Sequence, residues 1–169
     1  MSSTQLRWSQ VEDINRIMEI IDANKAVLKE EGIDQWQNNY PNRNVILNDI
    51  LIFESYVYEV SDEIVGTLML SFEEDATYHN IDGSWLNDDS YATIHRIAVD
   101  PLHKHKHHAS NMLNEVIKKC LEQDVKNIRV DTHPDNKAMT QFLLKNDFKH
   151  CGVIYLKDGN AREAYQRIL

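Results

Sequence analysis

The sequence predicts an α/β (α+β) protein in which a central mixed, mostly antiparallel sheet is flanked by helices, and three observations predict it. Residues 91–131 read as strand, loop, helix and strand, which is a βαβ element. Residues 56–60 and 64–70 are rich in β-branched and aromatic side chains and are separated by the turn "SDE", so they form an antiparallel hairpin. Ala109, Met112, Leu113, Val116, Ile117, Cys120 and Leu121 recur at the spacing of one helix face.

Taken in order, "LRW" at 6–8 is a short first strand. Ser9-Gln10-Val11-Glu12 then fits the S-x-x-E capping box, in which Ser9 accepts from an orphan amide and Glu12 reaches back. The helix it opens carries Ile14, Ile17, Met18 and Ile21 as its apolar stripe and stops at Gly32. Residues 33–52 are turn-rich and lead into a short helix with Val45, Leu47, Ile50 and Leu51 as core candidates. Residues 72–90 are polar, acidic and long for a loop, which marks them for function or mobility. A third strong strand covers 91–99, a helix 107–122 and a strand 127–131. Asp135 is the expected N-cap of a further helix whose buried face is Ala138, Met139, Phe142 and Leu143, and the chain closes as a hairpin turning at Asp158-Gly159. No repeat, low-complexity tract or linker interrupts the 169 residues, so residues 1–169 read as a single domain.

A net charge of −9 argues against nucleic acid as the main partner, since that binding needs a broad basic face. No apolar run approaches the roughly 18 residues that span a bilayer, so no membrane role is expected. The N-terminus lacks a basic region followed by an apolar core, and Cys120 and Cys151 are too few for a disulfide framework, which together point to the cytoplasm. Against this acidic background "VDPLHKHKHHASNML" (99–113) is a positive island: His103, Lys104, His105, Lys106, His107 and His108 directly precede a helix. Such an island focuses a small, multiply charged anion. The four imidazoles could also hold a transition metal, but contiguous histidines at a helix start lack ligands from separate elements and an ordered outer shell, so no dedicated metal site is expected.

The stretch from "IHRIAVDPLHKHKHHASNMLNEVIKKC" to "DTHPDNKAMTQFLLKNDF" resembles the signature region of the GCN5-related N-acetyltransferase (GNAT) family. There a strand ends in V-x-P, a loop R/Q-x-x-G-x-G/A opens a long helix, and N-x-x-A-x-x-x-Y-x-x-x-G-F follows. The resemblance implies acetyl-CoA as co-substrate. It also implies that the backbone of Ile97, Ala98 and Val99 holds the pantetheine arm and that Lys104, His105, Lys106, His107, His108 and Ala109 hold the pyrophosphate at the helix start, with Asn136 contacting the cofactor. The chain departs from the pattern at His107, which replaces the first glycine, at Leu143, which replaces the tyrosine general acid, and at Asp147, which replaces the glycine before Phe148. The imidazoles either crowd the pyrophosphate or, as partly protonated donors, replace amide contacts.

The reaction the resemblance implies is direct attack of a primary amine, on a small molecule or a peptide, upon the acetyl carbonyl. That needs a base and an acid for the departing thiolate. Glu73, with Glu74, and His95 are the base candidates, and strand alternation sends His95 and Arg96 to opposite faces. Tyr155 is the acid candidate, with Tyr165 or water as substitutes. A loop glutamate is also simply a solvated residue, and His133, Trp36, Tyr40 and Trp85 fit packing as well as an acceptor pocket. The alternative function is a catalytically degenerate GNAT-fold protein that binds a ligand or partner without turnover. Dimers are common in the family, which makes a homodimer the prior.

Overall fold

The computed structural model describes residues 3–104 and 106–169; the expected pyrophosphate contact of His105 lies outside the described residues. Eight strands form one mixed sheet: β1 (Thr4–Trp8), β2 (Ser55–Val60), β3 (Glu63–Ser71), β4 (Asp82–Gly83), β5 (Ala92–Val99), β6 (Asn127–Thr132), β7 (Lys149–Tyr155) and β8 (Ala161–Ile168), in the order β1-β2-β3-β5-β6-β8-β7-β4. β5 pairs parallel with β6, whereas β1–β2, β2–β3, β6–β8, β7–β8 and β4–β7 are antiparallel. The four helices are α1 (Ile14–Glu30), α2 (Arg43–Leu51), α3 (His108–Glu122) and α4 (Lys137–Lys145). Among the described residues no helix is long and apolar enough to cross a membrane.

The chain forms two compact units, the first comprising the chain through Leu70 with Arg96–Val116. Its core gathers Ile14, Ile17 and Ile21 of α1, Ile46 and Ile50 of α2 and Val57 of β2. Each such side chain taken out of water contributes about 1.5–3 kcal/mol. The helix entry differs from expectation by one residue: Gln10 is the N-cap, and Asp13 Oδ2 accepts from its amide at 2.7 Å. Asp13 also pairs with Arg7 at 2.8 Å, while Ser9 turns inward to bond Ser55 Oγ at 2.7 Å, which takes the Ser9 end out of the expected box.

α1 ends in a Schellman motif, with Gly32 N–H bonded to Lys29 O and Ile33 N–H to Leu28 O, and Gly32 supplies the left-handed residue that this stop requires. α2 is capped by Asn42, whose side chain accepts from Val45 N, and it buries Ile46, Asp49 and Ile50. Leu51, an expected core residue, is 62% exposed because the helix turns it away from that face. The hairpin between β2 and β3 turns on Ser61 and Asp62, both with positive φ, as a two-residue type I′ turn demands. Gly66 leaves room for α3, since a Cβ there would stand 2.7 Å from Met112 Sδ.

The second unit comprises Ser71–His95 and Ile117–Leu169. Here the acidic segment 72–90 is more structured than its composition suggests. A 3₁₀ turn spans Ala76–Tyr78, β4 pairs with β7, and Tyr78 is buried in a cluster with Tyr91, Ile154 and Ala164. Asn87, Asn127 and Gln166 tie the segment down through amide hydrogen bonds of 2.9 to 3.1 Å. The aromatic residues of the segment thus supply a small core of their own, which charge counting conceals. α4 is capped by Asn136, accepting from Met139 N at 3.1 Å, rather than by Asp135, and it buries Leu143 while Ala138 stays exposed.

Candidate active site

His95 lies in β5 just beyond the end of its pairing with β6, which is confined to Ala92–Ile128 and Thr93–Arg129. Its Nε2 stands 3.0 Å from Asp75 Oδ2, and its Nδ1 stands 3.9 Å from Asp131 Oδ2. Each carboxylate is held in turn. Asp75 Oδ1 accepts from the amide of Thr77 at 2.9 Å and its hydroxyl at 2.7 Å, the Asp75 amide donates to Tyr91 Oη at 3.0 Å, and Tyr78 Oη donates to Asp131 Oδ2 at 2.6 Å.

Burial works against ionisation of Asp75, but the hydrogen bonds from His95 and Thr77 outweigh it and hold the carboxyl down at about 2. Burial, reinforced by the neighbouring Asp131 charge, pushes the Tyr78 phenol well above its ordinary range, so it remains a donor at neutral pH. With Asp75 ionised, the network assigns the ring proton to Nε2 and leaves the Nδ1 lone pair available, and a proton gained by Nδ1 would sit beside the Asp131 carboxylate. The arrangement suits a general base.

Of the sequence candidates, only His95 belongs to this group. Glu73 is exposed, with its amide on Ser71 Oγ, and Glu74 pairs with His79 at 3.2 Å. Tyr155 is half exposed in β7 opposite Ala161, and Tyr165 is buried with its ring against His150. Sequence reading missed Asp75, Tyr78 and Asp131. The first two sit in the segment flagged for function and the third ends the strand "NIRVD", but nothing in the spacing points three such residues at one histidine.

Arg96 interrupts the extended geometry of β5 with φ 53°, so the strand alternation expected across His95 and Arg96 does not run through it. Its guanidinium grips Asp49 with two bonds of 2.8 Å and donates to Tyr40 Oη at 2.9 Å. Ile97 and Val99 are half-buried and Ala98 is buried; the Val99 carbonyl accepts from Asn24 Nδ2 at 2.9 Å. Beyond them, Asp100 caps a 3₁₀ turn at Pro101–His103 and takes Arg16 Nη2 at 2.6 Å.

Lys104, Lys106 and His107 are exposed at the start of the 15-residue α3, and Ala109 is half-buried in its first turn. His107 has φ 59°, the left-handed conformation for which glycine is usual and which histidine enters more readily than most residues. Its carbonyl accepts from Asn111 N at 3.0 Å, which starts the helix. The glycine-like backbone is therefore kept without the glycine. His108 is different: burial, with His103 and Lys106 nearby, lowers its pKa, and among the described residues its Nδ1 is buried without a partner. Both effects disfavour the cationic form of this ring. Asn136, the other expected cofactor residue, spends its side-chain oxygen on capping α4.

The family model for the acetyltransferase (GNAT) family matches residues 17–148. Among solved structures, a GNAT-family acetyltransferase from Streptococcus agalactiae is 32% identical with a TM-score of 0.90, over 98% of this chain and 95% of that one. A GNAT-family acetyltransferase from Listeria monocytogenes shares 22% identity with a TM-score of 0.76, over 98% and 95% of the two chains. The PaiA N-acetyltransferase from Thermoplasma acidophilum, solved in complex with coenzyme A, shares 19% identity with a TM-score of 0.70 over 99% of each. No curated protein sequence matches significantly. Because the family match runs from α1 to the start of β7 and takes in the whole β5–α3–β6 element, the chain belongs to the GNAT family of acetyltransferases.

Proposed function

We propose that the protein is a cytoplasmic N-acetyltransferase that transfers the acetyl group of acetyl-CoA to a primary amine by direct attack. The observation that carries this reading is the Asp75–His95 pair, which presents an oriented imidazole with one nitrogen available for an amine proton. The Thermoplasma structure with coenzyme A supports the choice of donor, as does the N-acetylglutamate synthase of Neisseria gonorrhoeae, 17% identical, solved with coenzyme A and N-acetyl-glutamate.

In this account the orphan amides at the start of α3, with Lys104 and Lys106 beside them, hold the pyrophosphate, and the backbone of Ile97–Val99 carries the pantetheine arm back along β5. The base removes a proton from the amine, the nitrogen lone pair attacks the acetyl carbonyl, and the carbon–sulfur bond breaks. Coenzyme A leaves as a thiolate that takes up the second proton shed by the nitrogen, relayed by water or by Tyr155. The acidic surroundings of His95 favour an amine that arrives as a cation, on a small molecule or a peptide.

A binding-only protein is the second reading, and one observation favours it: Leu143, which stands where the family pattern has a tyrosine, is a buried core residue. Incubation with acetyl-CoA and a panel of polyamines, amino acids and peptides, followed by thiol release, separates the two. The enzyme reading predicts amine-dependent thiol release that His95→Ala reduces by at least a hundredfold; binding of acetyl-CoA without release for any amine would favour the second reading.

A further inference from the structure

Arg129 of β6 is only 5% exposed and, among the described residues, has no carboxylate within ion-pair distance; its Nε has no hydrogen-bond partner. Its Nη2 donates to Asn87 O at 2.9 Å, and its guanidinium lies over two rings, 4.1 Å from the centroid of Tyr91 and 4.2 Å from that of Trp85. A buried cation without an ion-pair partner is costly, and an apolar chain of similar length would be cheaper there. Stability alone therefore does not account for it.

The two rings it holds are the ones that fix the 75–78 turn. Tyr91 Oη accepts from the Asp75 amide at 3.0 Å, and Trp85 Nε1 donates to the Tyr78 carbonyl at 2.9 Å. That turn delivers Asp75 to one nitrogen of His95, and it delivers Tyr78 to the carboxylate facing the other.

We propose that Arg129 is a positioning residue: by stacking on Tyr91 and Trp85 it sets the place of the 75–78 turn, and through Asp75 it fixes the orientation and tautomer of the His95 ring. This rests on the reading of His95 as the base. The planar guanidinium matters here because only a flat cation can lie on two aromatic faces while donating to a carbonyl. An ammonium cannot replace it.

The test is Arg129→Met in the full chain, with three readings. The thermal midpoint should hold or rise, because a buried cation has been removed. The ¹⁵N shifts of the His95 ring should move from the Nε2–H tautomer toward a mixture. The kcat should fall roughly tenfold to a hundredfold, as misplacement of a reacting group by about 1 Å does, with KM for acetyl-CoA within about twofold. Arg129→Lys should fail to restore the tautomer.

If Arg129→Met does not fold, Tyr91→Phe removes only the oxygen that holds the Asp75 amide and should give the same loss of tautomer. An unchanged Nε2–H tautomer in the folded variant overturns the proposal whether or not the protein turns over, as does a lowered thermal midpoint with unaltered kcat. A wild-type protein without acetyl transfer overturns the base assignment separately, and the tautomer then decides whether Arg129 positions the ring.

Discussion

Replacing Asp75 by asparagine keeps the shape of the side chain and removes its charge, so it isolates what ionisation contributes. Burial alone would raise this carboxyl, yet hydrogen bonds from His95 and Thr77 bring it from the ordinary 3.8 to about 2. At about 1.4 kcal/mol per tenfold change in affinity for the proton, that depression corresponds to about 2 kcal/mol. The side chain is 23% exposed, so little of this is lost to solvent screening. Because the folded-state pKa is the lower one, the stabilisation is fully present above 3.8 and disappears as the pH falls through about 2.

Urea unfolding of wild type and Asp75→Asn at pH 7, 5, 4 and 3 reads it directly. The expected gap is about 2 kcal/mol at pH 7 and 5, narrowing at pH 4 and narrowing further at pH 3. A gap that stays constant across that range, or one below about 0.3 kcal/mol at pH 7, would refute the claim that an ionised Asp75 holds the turn against His95.

Asp49→Ala strands the Arg96 guanidinium, whose partner is almost fully buried, and should cost about 3–5 kcal/mol in the same urea assay, far more than Tyr40→Phe, which sits at a half-exposed phenol. His107→Gly should keep or improve both stability and acetyl-CoA affinity, whereas His107→Val, forced into left-handed backbone, should lose about 1–2 kcal/mol and weaken binding, as calorimetry would show. Gly152→Ala would place a Cβ 2.2 Å from Asp82 O and should free β4 from β7, seen as faster amide exchange over residues 80–84 with protection in β6 retained. Tyr78→Phe leaves Asp131 without its donor and should cost about 1–3 kcal/mol in thermal or urea unfolding.

The architecture was legible in the sequence because each main element carries a period that matches its surroundings. The α3 stripe, the β2–β3 hairpin and the β5–α3–β6 order follow from local pattern, and the structure places them within a residue or two. The capping residues shifted by one, to Gln10 with Asp13 and to Asn136, since several polar side chains at each helix start could serve and tertiary partners such as Ser55 chose among them. The candidate site was only partly legible. His95 stood out as a titratable residue in a strong strand, but Asp75 and Asp131 are 56 residues apart in sequence and meet it through the fold. The left-handed His107 was hidden for the opposite reason: a change of residue type suggested a change of backbone, and the backbone kept its conformation.

Whether the start of α3 holds the pyrophosphate is decided by calorimetric titration of the purified, metal-free protein with acetyl-CoA. One-to-one binding with micromolar affinity is expected, retained in His107→Gly and weakened when Lys104 and Lys106 are both replaced by alanine. No binding by the wild-type protein, or binding indifferent to the two lysines, would contradict the assignment of the α3 start as the pyrophosphate site.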